Sequence, residues 1–210
     1  DLCGAADRER FISFFANRNS SFIRKRTLLD FAPSVSLSRQ LKSLSPKTYT
    51  TVDKFRSDVD LSEDIADLKS VASNSVDLIV CSHVLEHVPD DIAALKELNR
   101  VLSPRGIAIL VVPITLLNRD TLENSLPLSP EERCRIFGQE DHVRLYSKDG
   151  FINSIKQSGF KLYQYRVSGF TNQEFLVSEG LAQSSCLYIA YKQTRVGLKL
   201  RLNRLRFWLK

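Results

Sequence analysis

Between Ser75 and Ile114 two apolar runs enclose one amphipathic stretch. SVDLIVCS (75–82) and GIAILVVPI (106–114) are nearly continuous runs of aliphatic residues. A strand that is apolar on both faces must be covered on both faces, which is the situation of a strand inside a parallel sheet. Between the runs, Ile92, Leu95, Leu98 and Leu102 recur at helical spacing behind Asp90 or Asp91 as cap, and Pro104 and Gly106 are expected to end the helix. Strand, helix and strand in this order form a βαβ unit, and open sheets built from such units bind ligands beyond the carboxyl ends of their strands.

The alternation extends in both directions. RTLLDFAPS (26–34) is a short apolar run that reaches Asp30 and is cut off at Pro33. SVSLSRQLKSL follows with a Ser cap and Leu37, Leu41 and Leu44 on one helical face, and TYTTVDKF (48–55) reads as a strand ending at Asp53. Downstream, SKDGFINSIKQSGF (147–160) reads as a helix, while KLYQYRVSG (161–169) and CLYIAYKQ (186–193) read as two strands without a helix between them. The expected fold is α/β, with a doubly wound, mostly parallel sheet and an antiparallel edge strand. Residues 1–25 are expected to form a separate helical segment anchored by Phe11, Phe14, Phe15 and Ile23. The polar stretch 115–145, with Pro127 and Pro130, reads as a long insertion.

The chain of 210 residues is long enough to bury one core, and no apolar run approaches the ~18 residues of a membrane span. Six of its 30 basic residues lie in the last 17, where there is no acid. The rest then carries 24 basic against 24 acidic residues, so the body is formally neutral and no nucleic-acid partner is expected. The tail, 194–210, combines those cations with Leu198, Leu202, Leu205, Leu209 and Trp208, a pattern suited to an anionic lipid surface or an acidic partner. Cys3, Cys81, Cys134 and Cys186 are scattered and form no C-x-x-C, which fits a reducing compartment. The expected location is cytoplasmic, with the tail at the inner membrane surface.

His83-Val84-Leu85-Glu86-His87 is H-x-x-E-H, the letters of a zinc hydrolase helix. That reading needs several helical turns. A strand ends immediately upstream, and Pro89 disfavours helix just downstream. No metal is therefore expected on His83 and His87.

The run from Ser75 to Pro113, SVDLIVCSHVLEHVPDDIAALKELNRVLSPRGIAILVVP, resembles the middle of class I S-adenosylmethionine-dependent methyltransferases. An HVLEH-like turn, a helix ending in R-V-L-x-P-x-G and a following strand match that family in order and spacing. RTLLDFAPS, TVDK and SEDIADL extend the resemblance to about 26–193, and FGQEDHVRLYS (137–147) resembles one bacterial branch.

The resemblance implies a seven-stranded Rossmann-like sheet, S-adenosylmethionine as cofactor, and methyl transfer to O or N of a small-molecule or glycan acceptor. It implies that the methionine part lies over Asp30, Ala32, Pro33 and Ser34, and that Asp53, beside Lys54, binds the ribose hydroxyls. Asp64 and Ile65 would flank the adenine, and Ser82 and His83 would border the sulfonium. The insertion 115–145 would cover the acceptor, with Glu140, Asp141 and Arg144 contacting it and His142 as general base; His83 is the competing base. One departure stands out. Ala and Ser replace the glycines of the family's first loop, so that loop is expected to follow a different path. A non-catalytic scaffold of the same fold is the rival reading.

Overall fold

The computed structural model describes residues 6–115, 117, 119–124, 127–169, 180–182 and 184–193. The basic tail and Cys3 lie outside the described residues, so the expected lipid or acidic-partner contact does too.

The N-terminal helical stretch is two helices, α1 (Asp7–Arg18) and α2 (Ser20–Ile23). Asn19 separates them, because its side-chain amide and backbone N–H both donate to the Phe15 carbonyl and close the first helix. Then come β1 (Thr27–Phe31), α3 (Val35–Ser43), β2 (Thr48–Val52), β3 (Val76–Ser82), α4 (Asp91–Val101) and β4 (Leu102–Val111). Ser34 caps α3 by accepting from the Leu37 N–H, and Asp90, rather than Asp91, caps α4 through the Ala93 N–H. Helix α4 stops at Val101, short of the expected Pro104, and the chain passes directly into β4. Gly106 is required there, since a Cβ would sit 2.9 Å from the Asp77 carbonyl oxygen.

The insertion holds β5 (Ile114–Thr115), β6 (Leu122–Glu123), α5 (Pro130–Phe137) and β7 (Arg144–Ser147), with the short strands paired as β5-β7-β6. Helix α6 (Lys148–Gln157) and strands β8 (Phe160–Arg166) and β9 (Cys186–Lys192) complete the described chain.

The main sheet has the order β2-β1-β3-β4-β9-β8. Its first four strands are parallel, and β9 runs antiparallel to both β4 and β8. Among the described residues the sheet therefore has six strands where seven were expected. Beside β2, residues 53–75 contribute only a parallel bridge from Leu61 to Val52. Carboxylates explain this: Asp53, Asp60, Asp64 and Glu63 all accept backbone N–H groups there, holding the chain in turns.

Strand periodicity sorts the core. Ile79, Cys81 and Leu110 pack with α4 and α6 through Leu95, Leu98, Phe151 and Ile155. Leu78, Val80 and Ile109 point the other way and pack with α1 and α3 through Phe11, Phe15, Leu37 and Leu41. Both faces are covered, as the continuous apolar runs required. Helix α1 is thus part of this core and no separate unit.

Candidate active site

Strands β1, β2 and β3 end side by side, and a cleft of about 470 Å³ opens beyond them. Its floor is apolar, formed by Phe31, Val52, Ile65, Val84 and Val88, and Asp53, Lys54 and Asp64 stand around it. Of the residues implied as cofactor ligands, Ala32, Asp53, Lys54, Asp64, Ile65 and His83 line this cleft.

The chain leaves β1 at Ala32 and β3 at His83, and both residues take positive φ, 47° and 57°. Their N–H groups donate across the sheet to Val52 and Val111, each at 2.9 Å. Ala32 thus sits in the left-handed region that glycine enters without penalty, at a cost of about 1–2 kcal/mol for an L-residue.

Asp53 holds the turn after β2 with Oδ1, which accepts from the N–H groups of Phe55 at 2.8 Å and Arg56 at 3.1 Å. Its Oδ2 makes no hydrogen bond among the described residues. Asp64 is fully engaged. Lys54 bonds it at 2.8 Å and lowers its pKa below the ordinary carboxylate value, and the Ala66 N–H takes its other oxygen. Phe55, which sequence reasoning missed, stands at the rim with 89% of its surface exposed. Its only signal in the sequence was an aromatic side chain two residues past Asp53.

Other expected ligands face elsewhere. Asp30 is buried within the sheet, where Tyr49 donates to its carboxylate and lies 2.7 Å from Ser38 Oγ. Pro33 offers its carbonyl to Arg56, Ser34 is spent as the α3 cap, and Ser82 Oγ is buried away from the cleft. Burial pushes the thiol of neighbouring Cys81 up, so it is an inert core side chain.

The acceptor-side expectations are redistributed. His142 is buried, lines neither cleft and packs its ring edge against His87 at 4.7 Å, so it is not placed to take a proton from an acceptor. Arg144 is buried as well. It donates to the carbonyls of Leu85, Val88 and Pro89 and to Glu123, a clamp on the turn after β3 and no anchor for substrate. Glu140 is exposed outside the clefts, whereas Asp141 reaches the rim of the first.

His83 borders a second cleft of about 420 Å³ across the ends of β4, β8 and β9. Arg8, Lys148 and Arg166 line it together with Asp7, Gln164, Ser168 and Tyr188. Among the described residues, His83 alone lines both clefts. Its Nδ1 lies 3.2 Å from Oε1 of buried Glu86. The helix demanded by a zinc-hydrolase reading is absent, since residues 85–87 form a single 3-10 turn.

A comparison with curated protein sequences gives no match. Residues 30–110 match the family described as a methyltransferase domain. Among solved structures, an S-adenosylmethionine-dependent methyltransferase from Mesorhizobium loti is 14% identical over 90% of this chain and 99% of its own, with a TM-score of 0.57. The 1,6-didemethyltoxoflavin-N1-methyltransferase of Burkholderia thailandensis, solved with 1,6-didemethyltoxoflavin and S-adenosylhomocysteine bound, is 14% identical over 92% and 82%, with a TM-score of 0.59. The [4+2]-cyclase SpnF is 16% identical over 89% and 82%, at 0.62. These likenesses establish the architecture, and the last name shows that it also hosts other chemistry. Sheet order, the cleft at the strand ends and the likeness to solved structures agree on a class I methyltransferase fold, and residues 30–110 match the family described as a methyltransferase domain.

Proposed function

We propose that the protein transfers a methyl group from S-adenosylmethionine to an oxygen or nitrogen of a small acceptor bearing an acidic group. The observation that carries the reading is His83, shared by a cofactor-type cleft and a second, basic one. Bound S-adenosylmethionine supplies a methyl carbon already activated by its sulfonium, so the protein has to provide alignment above all.

The residues of the first cleft fit that cofactor. Asp53 Oδ2 can accept from a ribose diol while Oδ1 stays fixed by two backbone N–H groups. Phe55 and Ile65 offer aromatic and aliphatic surface to a nucleobase. Among the described residues of the second cleft, Arg8, Lys148 and Arg166 stand against one acid, Asp7, which favours a carboxylate or phosphate on the acceptor. A small metabolite or an acidic sugar unit suits the volume of about 420 Å³. His83 lines both clefts, and a histidine there can accept a proton from an acceptor nucleophile. Contact of the tail with anionic lipid, and a cytoplasmic location facing that lipid, belong to the same proposal and rest on the composition of residues 194–210.

The test is methyl transfer from labelled S-adenosylmethionine to a panel of small acids and acidic sugars. Transfer should fall by ~10²-fold or more in His83→Ala while S-adenosylhomocysteine affinity is retained. Cofactor binding without transfer to any acidic or neutral acceptor would favour the scaffold reading.

A further inference from the structure

We propose that Glu86, His87 and His142 bind one divalent transition-metal ion of the zinc type beneath the wall of the first cleft. One potential ligand atom from each lies within 4.8 Å of the others. The hydrogen-bond accounting shows why a cation belongs there. His142 Nδ1 lies 3.2 Å from the carbonyl oxygen of Phe137. A carbonyl only accepts, so Nδ1 carries the proton, and Nε2 of the neutral ring is a bare lone pair. That Nε2 is buried and has no partner among the described residues.

His87 repeats the arrangement. Its Nδ1 faces two acceptors, the Asp141 carbonyl at 3.3 Å and Asp141 Oδ2 at 3.2 Å, which leaves Nε2 as the lone pair. Glu86 is 1% exposed, and neither carboxylate oxygen accepts a hydrogen bond from any of the described residues. His83 approaches Oε1 to 3.2 Å, but its ring N–H is not aimed along that line. Acceptors therefore converge in a buried space with no aligned donor, an arrangement that is costly unless a cation fills it.

The chemistry of the set points to zinc. Two imidazoles and a carboxylate form a known zinc ligand combination, and metal-bound histidines usually donate their other ring N–H to a carbonyl or carboxylate, as both do here. Bonds of about 2.0–2.1 Å would bring the ligand atoms to roughly 3.4 Å from one another in a tetrahedral site. The part-exposed His87 ring can turn to close that gap. His87 also lines the first cleft. The ion would tie the turn at 85–87 to the 137–142 segment, which already touch through the bond from Val143 N–H to the Glu86 carbonyl. This site differs from the H-x-x-E-H helix excluded by Pro89, because its third ligand arrives 55 residues after His87.

The test is elemental analysis of purified protein, together with cobalt(II) titration of chelator-treated protein followed by visible absorption. The expected result is close to one zinc per chain and a visible cobalt band, both lost in His87→Ala and Glu86→Gln with the circular dichroism spectrum unchanged. His142→Ala should behave alike; if that buried change unfolds the chain, the His87 and Glu86 variants decide. Zinc below about a tenth per chain without a cobalt band, or metal that survives both substitutions, overturns the site. In the first case the cluster holds a proton or water. These readouts do not depend on methyl transfer.

Discussion

Ala32 and His83 are the first residues beyond two adjacent parallel strands, and both occupy the left-handed region, with φ of 47° and 57°. The two turns lie side by side at the mouth of the cofactor-type cleft. Strain held in neighbouring turns at a ligand site is consistent with function rather than with stability.

That strain can be measured at Ala32. Ala32→Gly should stabilise the chain by about 1 kcal/mol in urea unfolding, because glycine loses the Cβ clash although it costs more chain entropy. Ala32→Val should destabilise by more than that, since a β-branched residue tolerates positive φ least. A destabilising Ala32→Gly would show that the loop does not take this path.

Asp30 predicts a pH dependence. Burial raises its pKa from 3.8 to about 6, with a hydrogen bond from Tyr49 partly opposing the rise. Between those values the folded chain keeps a proton that the unfolded chain has released. Its contribution is therefore present in full below pH 4 and is lost as pH climbs through about 6. Asp30→Asn cannot ionise, so its stability relative to the wild type should grow by roughly 3 kcal/mol from pH 4 to pH 7. Denaturant midpoints across that range check it, and a constant difference would contradict the buried carboxyl.

Phe55 is almost wholly exposed, so Phe55→Ala should leave the unfolding midpoint unchanged. If the ring stacks on adenine, S-adenosylhomocysteine should bind about 1–3 kcal/mol more weakly. Full retention of affinity would remove Phe55 from the site.

Arg144 discriminates a clamp from a substrate anchor. Arg144→Ala leaves the carbonyls of Leu85, Val88 and Pro89 without their donor and should destabilise by about 2–4 kcal/mol. Lysine should restore little, because one ammonium cannot reproduce the planar fork. A stability unchanged by Arg144→Ala, with only acceptor saturation affected, would return Arg144 to the acceptor.

The central βαβ architecture was legible because burial on both faces leaves a signature in single residues: Ile79 and Cys81 face one layer, Leu78 and Val80 the other. Asp53 was legible for a similar reason, as an acid at the end of a recognisable strand. Where charges face was not. Asp30, His142 and Arg144 are polar in the sequence and buried in the fold, each committed to a partner between 5 and 59 residues away. The seventh strand was inferred from resemblance, whereas local competition by aspartate side chains decides that edge.

Calorimetric titration with S-adenosylhomocysteine, run on the wild type and on Asp53→Ala, decides whether the first cleft holds the cofactor. The wild type should show one site, and the variant an affinity lower by about 1.5–3 kcal/mol, the range for losing charged hydrogen bonds to the ribose. No binding to the wild type at millimolar ligand, or equal affinity in both proteins, would contradict it.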